Sequence, residues 1–106
     1  MVKRFEVYLV NLDAEPSADA RNTRPCVILS PDEMNRNITN VIVAPLTSTD
    51  KKYPTRIQTN FLNGERTIVL DQIRTVDRIR LVKKIGEIDE ATQKAALERL
   101  QEMFAE

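Results

Sequence analysis

"TRPCVILSP", Thr23–Pro31, sets an arginine and a proline directly ahead of a short apolar run. An apolar run, Cys26–Leu29, follows Pro25 and ends at Ser30-Pro31, the pattern of a buried strand bounded by turn chemistry. Proline cannot donate to a ladder, so Pro25 is expected at the first residue of that strand or on a sheet edge. Outward from it, "FEVYLVNL" (5–12) is rich in β-branched and aromatic residues and reads as a strand, as does "NVIVAPL" (40–46). "TRIQTNFL" (55–62) and "RTIVLDQI" (66–73) flank Asn63-Gly64, a strong hairpin signal. Five strands before residue 74 make the chain mostly β.

The connecting pieces are polar. "DAEPSADARNT" (13–23) reads as a long exposed loop, and loops of about a dozen residues without structure of their own are commonly functional. "PDEMNRN" (31–37) is turn chemistry with room for one helical turn, and "TSTDKKYP" (47–54) is a basic loop. In "RTVDRIRLVKKIGEI" (74–88) the first half reads as a short helical turn and "LVKKIGEI" as a further strand. Asp89 can cap a helix from Glu90 to about Phe104, whose Ala96, Leu97, Leu100, Met103 and Phe104 form one apolar face able to cover a sheet. The expected architecture is one domain, residues 1–106: an antiparallel sheet or small barrel closed by a C-terminal helix.

Composition narrows the chemistry. The chain holds 16 Lys and Arg against 16 Asp and Glu, one cysteine and no histidine. Residues 1–86 are net +4 and residues 87–106 net −4, so the zero average conceals a basic body and an acidic tail segment. Without imidazole, serine, cysteine and ribonuclease mechanisms that rely on histidine are excluded. One cysteine and no histidine leave only carboxylates for a metal, and no acidic cluster has calcium-loop or two-metal spacing, so no metal and no cofactor are expected. Phosphate-cradling glycine motifs are absent too. A lone Cys26 inside an apolar run reads as a small buried hydrophobe, and together with the missing signal-type or spanning apolar stretch it points to the cytoplasm.

Three stretches set polar groups where strands meet loops: Arg24 before the buried strand, Thr47 and Ser48 after "VIVAPL", and "LDQIRTVDRIRL" (70–81) with Gln72, Arg74, Thr75 and Asp77. Each has an ordinary structural reading as well. Arg24 can pair with Asp13 or Asp19, Thr47 and Ser48 can bond their own turn, and the mixed charges of 71–80 can be a solvated face or a buried Arg–Asp pair. Chemistry offers one way to join them. An arginine holds phosphate bidentately and stabilises charge developing on it, and a neighbouring hydroxyl adds a hydrogen bond to the same oxygens. That pair suits phosphodiester transfer in which RNA's own 2′-hydroxyl is the nucleophile.

Taken in register, "VYLVNLD", "TRPCVILSPDEMN", "VIVAPLTST", "YPTRI" and "IVLDQIRTVDRIRLVKKIG" resemble the MazF/PemK toxins of bacterial toxin–antitoxin systems over nearly the whole chain. The resemblance implies an SH3-like, CcdB-like antiparallel barrel with a C-terminal helix, a homodimer, and a metal-independent, sequence-selective endoribonuclease for single-stranded RNA. It also implies a MazE-like antitoxin whose acidic tail lies across the RNA groove. By this likeness Arg24 and Thr47 are the catalytic positions, and Asp19, Arg21, Ser48, Lys51, Gln72, Arg74, Thr75 and Asp77 the RNA-binding ones. RNA is expected on a basic sheet face that also bears Lys52 and Arg56, with the helix turned away from it. Two departures stand out: Phe5-Glu6 replaces the family's Gly-Asp, and Ser17-Ala18-Asp19 replaces its Gly-Ser-Glu. A competing reading is a non-cleaving toxin of the same barrel, like the CcdB-like proteins that trap DNA gyrase, or a catalytically weakened member.

Overall fold

Side chains alternate along each strand and so fall on two faces of one curled antiparallel sheet, a half-barrel. The computed structural model describes residues 1–12, 22–48 and 53–106. Among these, β1 (Glu6–Asn11), β2 (Thr23–Ile28), β3 (Asn40–Thr47), β4 (Arg56–Phe61), β5 (Gly64–Val69), β6 (Arg74–Asp77) and β7 (Leu81–Glu87) join in the order β4-β5-β3-β2-β1-β7. β6 lies off that path and pairs with β3. The helices are α1 (Asp32–Asn37) and α2 (Glu90–Phe104).

β3 organises the sheet because it serves three partners in turn. Asn40–Val43 pair with β6, Val43–Pro45 with β2, and Leu46–Thr47 with β5. On one face Val7, Val27, Leu29, Ala44, Leu46, Ile68 and Leu70 form the larger cluster, against which Ala95, Leu100 and Met103 of α2 pack. On the other, Val10, Cys26, Ile28, Val41, Val43 and Val76 form a second. Fully buried residues such as Ile28, Ile68 and Leu70 each contribute roughly 1.5–3 kcal/mol by leaving water.

α2 runs over the expected range and starts as expected, with the Asp89 carboxylate accepting the Thr92 amide at 2.7 Å. A buried hydroxyl pair, Thr59 and Thr92 at 2.8 Å, ties it to β4. The apolar face is narrower than the periodicity suggests: Phe104, the last residue of α2, is 72% exposed, while Met103 beside it still packs against the larger cluster.

Four further expectations change. Pro25 is the third residue of β2, not the first, because Thr23 and Arg24 already pair with Asn11 and Val10. "RTVD" is strand β6 and the helical turn falls at Arg78–Arg80, capped by Asp77, whose carboxylate accepts the Ile79 amide at 3.0 Å. β5 stops at Val69, and Leu70–Gln72 form a 3₁₀ turn. The hairpin turns on Leu62-Asn63, both at positive φ, while Gly64 already pairs with Phe61.

The Phe5-Glu6 pair also has a structural account. Phe5 adopts φ 74°, a conformation that favours glycine, and its ring packs against the larger cluster. Glu6 is buried, accepts the Lys3 amide at 2.6 Å and pairs with Lys84 at 2.5 Å. Burial pushes its carboxyl up, but the bonds from Lys84 and the Lys3 amide outweigh that and hold it below the ordinary carboxylate range. A depressed carboxyl stabilises the fold above its unfolded pKa and loses that contribution as pH falls through the folded value. The difference in Tm between the protein and Glu6→Gln should therefore be largest near neutral pH and shrink below about pH 4; a difference independent of pH would contradict the pairing.

Candidate functional site

Neither Pro25 nor Pro45 has an N–H to donate, and the ladder between β2 and β3 stops beside them, at Cys26–Pro45. Beyond that point Thr23–Pro25 stay with β1 while Leu46 and Thr47 go to β5. The two strands part, and the opening is a trough of about 370 Å³ lined by Arg24, Pro25, Leu46, Thr47, Ser48 and Arg66. Rigid strand ends thus hold a guanidinium and two hydroxyls around one small volume.

Arg24 is exposed and has no hydrogen-bond or ion-pair partner among the described residues. Arg56 differs: it pairs with Asp71 at 3.3 Å and lies over the Tyr53 ring at 4.6 Å. That pairing holds the Asp71 carboxyl below its ordinary range, chiefly through the hydrogen bond from Arg56. Arg4 and Arg78 donate to backbone carbonyls, of Leu29 and of Asn35 and Ile38 respectively. Among the described residues, then, nothing compensates the Arg24 charge at the trough.

The structure brings Arg24, Thr47 and Ser48 together and sets the third polar stretch apart. Arg74 stands opposite Val43, so alternation puts it on the Cys26 face with Arg24 and Thr47, four residues along β3 from Thr47. Thr75 pairs with Ile42, and Asp77 with Asn40, roughly 23 Å along β3 from Thr47. Gln72 is exposed on its 3₁₀ turn. Within one chain, then, Gln72, Arg74, Thr75 and Asp77 form a separate polar stretch outside the trough. Asp19, Arg21 and Lys51 lie outside the described residues.

Arg66 is the residue that sequence reading missed. It sits near the start of an alternating strand and looks like any solvated charge there; only the Thr47–Thr67 pairing brings β5 to the trough. Two other hollows suit an anion less. One of about 240 Å³ is bordered by Gln58, Thr59, Asn60 and Glu65, with no cation, and one of about 330 Å³ is lined by Pro31, Glu33, Met34, Asn37 and Ile38. Among the described residues no three His, Cys, Asp or Glu side chains are grouped to hold a metal ion.

The fold is a curled β half-barrel packed against a helix, and at its split strand end a guanidinium without a partner among the described residues stands beside two hydroxyls, a donor set whose chemistry suits an anion. The chain belongs to the PemK-like, MazF-like toxins of type II toxin–antitoxin systems, whose family model matches residues 3–104. It is 33% identical over 97 residues to a Staphylococcus epidermidis protein named Endoribonuclease MazF, covering 86% of this chain and 81% of that protein. Among solved structures it is similar to a mycobacterial endoribonuclease in complex with its cognate antitoxin, with TM-score 0.80, 25% identity, and coverage of 96% of this chain and 93% of that one. The Mycobacterium tuberculosis toxin MazF-mt6 matches with TM-score 0.76 at 25% identity, over 93% of this chain and 95% of that one. MazE-MazF from Deinococcus radiodurans shares the fold, with TM-score 0.80 at 20% identity over 98% and 95% of the two chains.

Cys26, next to Arg24 and Pro25, belongs to the support. Burial pushes its thiol up to about 12, with the Arg74 charge pulling weakly the other way. At pH 8 the folded protein should react with a disulfide reagent at least about 100-fold more slowly than the unfolded chain, because the thiolate is the reactive form. Equal rates would show that the strand behind Arg24 is open.

Proposed function

We propose that this MazF-type toxin is a metal-independent endoribonuclease that cuts single-stranded RNA, mRNA above all, at the trough between β2 and β3. The observation that carries the reading is the Arg24 guanidinium, without a charge partner among the described residues, beside the Thr47 and Ser48 side chains on strand ends fixed by buried residues. The 2′-hydroxyl attacks the adjacent phosphorus and loses its proton, the bond from phosphorus to the 5′-oxygen breaks, and that oxygen takes up a proton. The products are a 2′,3′-cyclic phosphate and a free 5′-hydroxyl. Negative charge rises on the non-bridging oxygens, where Arg24 donates in its charged form and Thr47 assists. A guanidinium releases its proton too reluctantly to serve as an ordinary base, so its role is electrostatic.

Ser48 lies against the same phosphodiester, Arg74 meets nucleotides beyond the trough on the face it shares with Arg24, and Gln72 and Thr75 meet them from the 3₁₀ turn and from the other face of β6. Asp19, Arg21 and Lys51 belong to the two segments that join the strands at the trough, and contacts to RNA from them complete the proposed site. The proposed working form is a cytoplasmic homodimer held in check by a MazE-like antitoxin with an acidic tail. The basic body supports that partner electrostatically: α2 packs on the face bearing Thr59, opposite that of Gln58, Thr67 and Thr47, so the acidic helix is turned away. A gyrase-trapping reading is not favoured, because the family matched is that of the PemK-like and MazF-like toxins.

The test is a long single-stranded RNA incubated with the protein in excess chelator. Discrete cuts ending in cyclic phosphate are expected. Arg24→Ala should lower the rate by about 10³-fold or more and Thr47→Val by about 10- to 100-fold, the range for losing one preorganised donor. Intact RNA, or Arg24→Ala cutting as fast as the unaltered protein, would overturn the reading.

A further inference from the structure

Arg66 makes the trough two-sided. It comes from β5, and its pairing with Thr59 puts it on the face of Pro25 and Leu46, across the parted strands from Arg24 and Thr47, so that residues of both faces line the opening. Its Nη1 donates to the Glu65 carbonyl at 3.0 Å, and its remaining donors find no acceptor among the described residues. The guanidinium lies over Gly64, where an added Cβ would come within 2.5 Å of Nη1, so the glycine leaves the space that the guanidinium occupies. Among the described residues no carboxylate is paired with either cation. Across an open trough their mutual repulsion is weakened by water and salt, while an anion lying between or along them is attracted by both.

From this we infer that Arg66 binds the phosphate adjacent to the scissile one, so that the nucleotide between the two phosphates lies along Pro25 and Leu46. The inference rests on the reading of the trough as an RNA site and adds a specificity for chain length: the site grips two consecutive phosphates rather than one. A volume of about 370 Å³ is at the small end of ligand sites and suits a single nucleotide. Arginine suits the role because its planar fork can donate two parallel bonds to one phosphate while Nη1 stays anchored.

The experiment uses the full-length protein and short RNA substrates carrying a neutral methylphosphonate at the phosphate on either side of the scissile one. For one of the two positions the neutral linkage should cost the unaltered protein about three- to tenfold in kcat/KM, mostly through KM, as expected for one partly exposed charge-assisted contact. Arg66→Gln should show that loss on the all-phosphate substrate and no further loss with the neutral linkage, while Arg66→Lys recovers part of it. Binding of a 2′-deoxy, uncleavable oligonucleotide should lose about 0.7 from the slope of log affinity against log salt in Arg66→Gln, the share of one single-strand phosphate contact. Thermal unfolding of both variants checks the packing over Gly64, a role that would leave the salt slope and the methylphosphonate response unmoved. If Arg66→Gln keeps the unaltered protein's salt slope and its sensitivity to the neutral linkage, the inference falls and the RNA site stands. If the unaltered protein neither cuts RNA nor binds the oligonucleotide, both fall.

Discussion

The ladder between β2 and β3 ends beside two prolines, and the site depends on that interruption. Had Cys26–Pro45 been followed by more pairs, Arg24 and Thr47 would stand side by side on a continuous sheet, with no hollow between their strands. Instead β2 leaves with β1 and β3 with β5, and each departing strand keeps a full partner. A gap can therefore open without orphaning a long run of buried backbone groups, whose desolvation would cost about 1–3 kcal/mol each. The backbone pays for concavity with two residues that have nothing to donate.

The two faces of the sheet divide the labour. One takes α2 and the larger apolar cluster, and the other holds Cys26, Val43 and Val76 beneath Arg24, Thr47 and Arg74. Arg24, which has no acid partner among the described residues, can then be held at a strand end because the residues behind it are fixed by close packing rather than by the charge itself. Arg56 shows the contrast: with Asp71 beside it, its charge is already spent. Segregation of the acidic helix to the opposite face leaves the basic face open to a polyanion or to an acidic peptide, and both attractions weaken with salt.

Much of the fold was legible because strand and helix periods differ. β1, β3, β4 and α2 came from pattern alone, within one residue at most ends. β6 was not, since "RTVD" mixes charge with one buried valine and owes its strand geometry to an available edge of β3. The turn was misplaced by one residue because Asn63-Gly64 is the better local signal, yet the register puts Phe61 against Gly64. At the site, Arg24, Thr47 and Ser48 were legible from their places at strand ends. Arg66 was not, because its approach depends on which strand β3 meets after Pro45, a fact of topology that no local pattern encodes. Phe104 was overcounted for a similar reason: periodicity marks a face but not which residues at its margin reach the core, and Met103 does where Phe104 does not.

In the proposed complex a phosphodiester sits at the β2–β3 opening with Arg24 as its cation. The most direct measurement is NMR of the ¹⁵N-labelled protein titrated with a short RNA whose reacting 2′-hydroxyl is replaced by hydrogen, following backbone amides and arginine Nε–H groups. The account predicts the largest shifts at Arg24 Nε–H and at the Thr47 and Ser48 amides, with α2 unmoved. Shifts concentrated on α2 or around Met34 and Ile38, with Arg24 Nε–H unchanged, would contradict it.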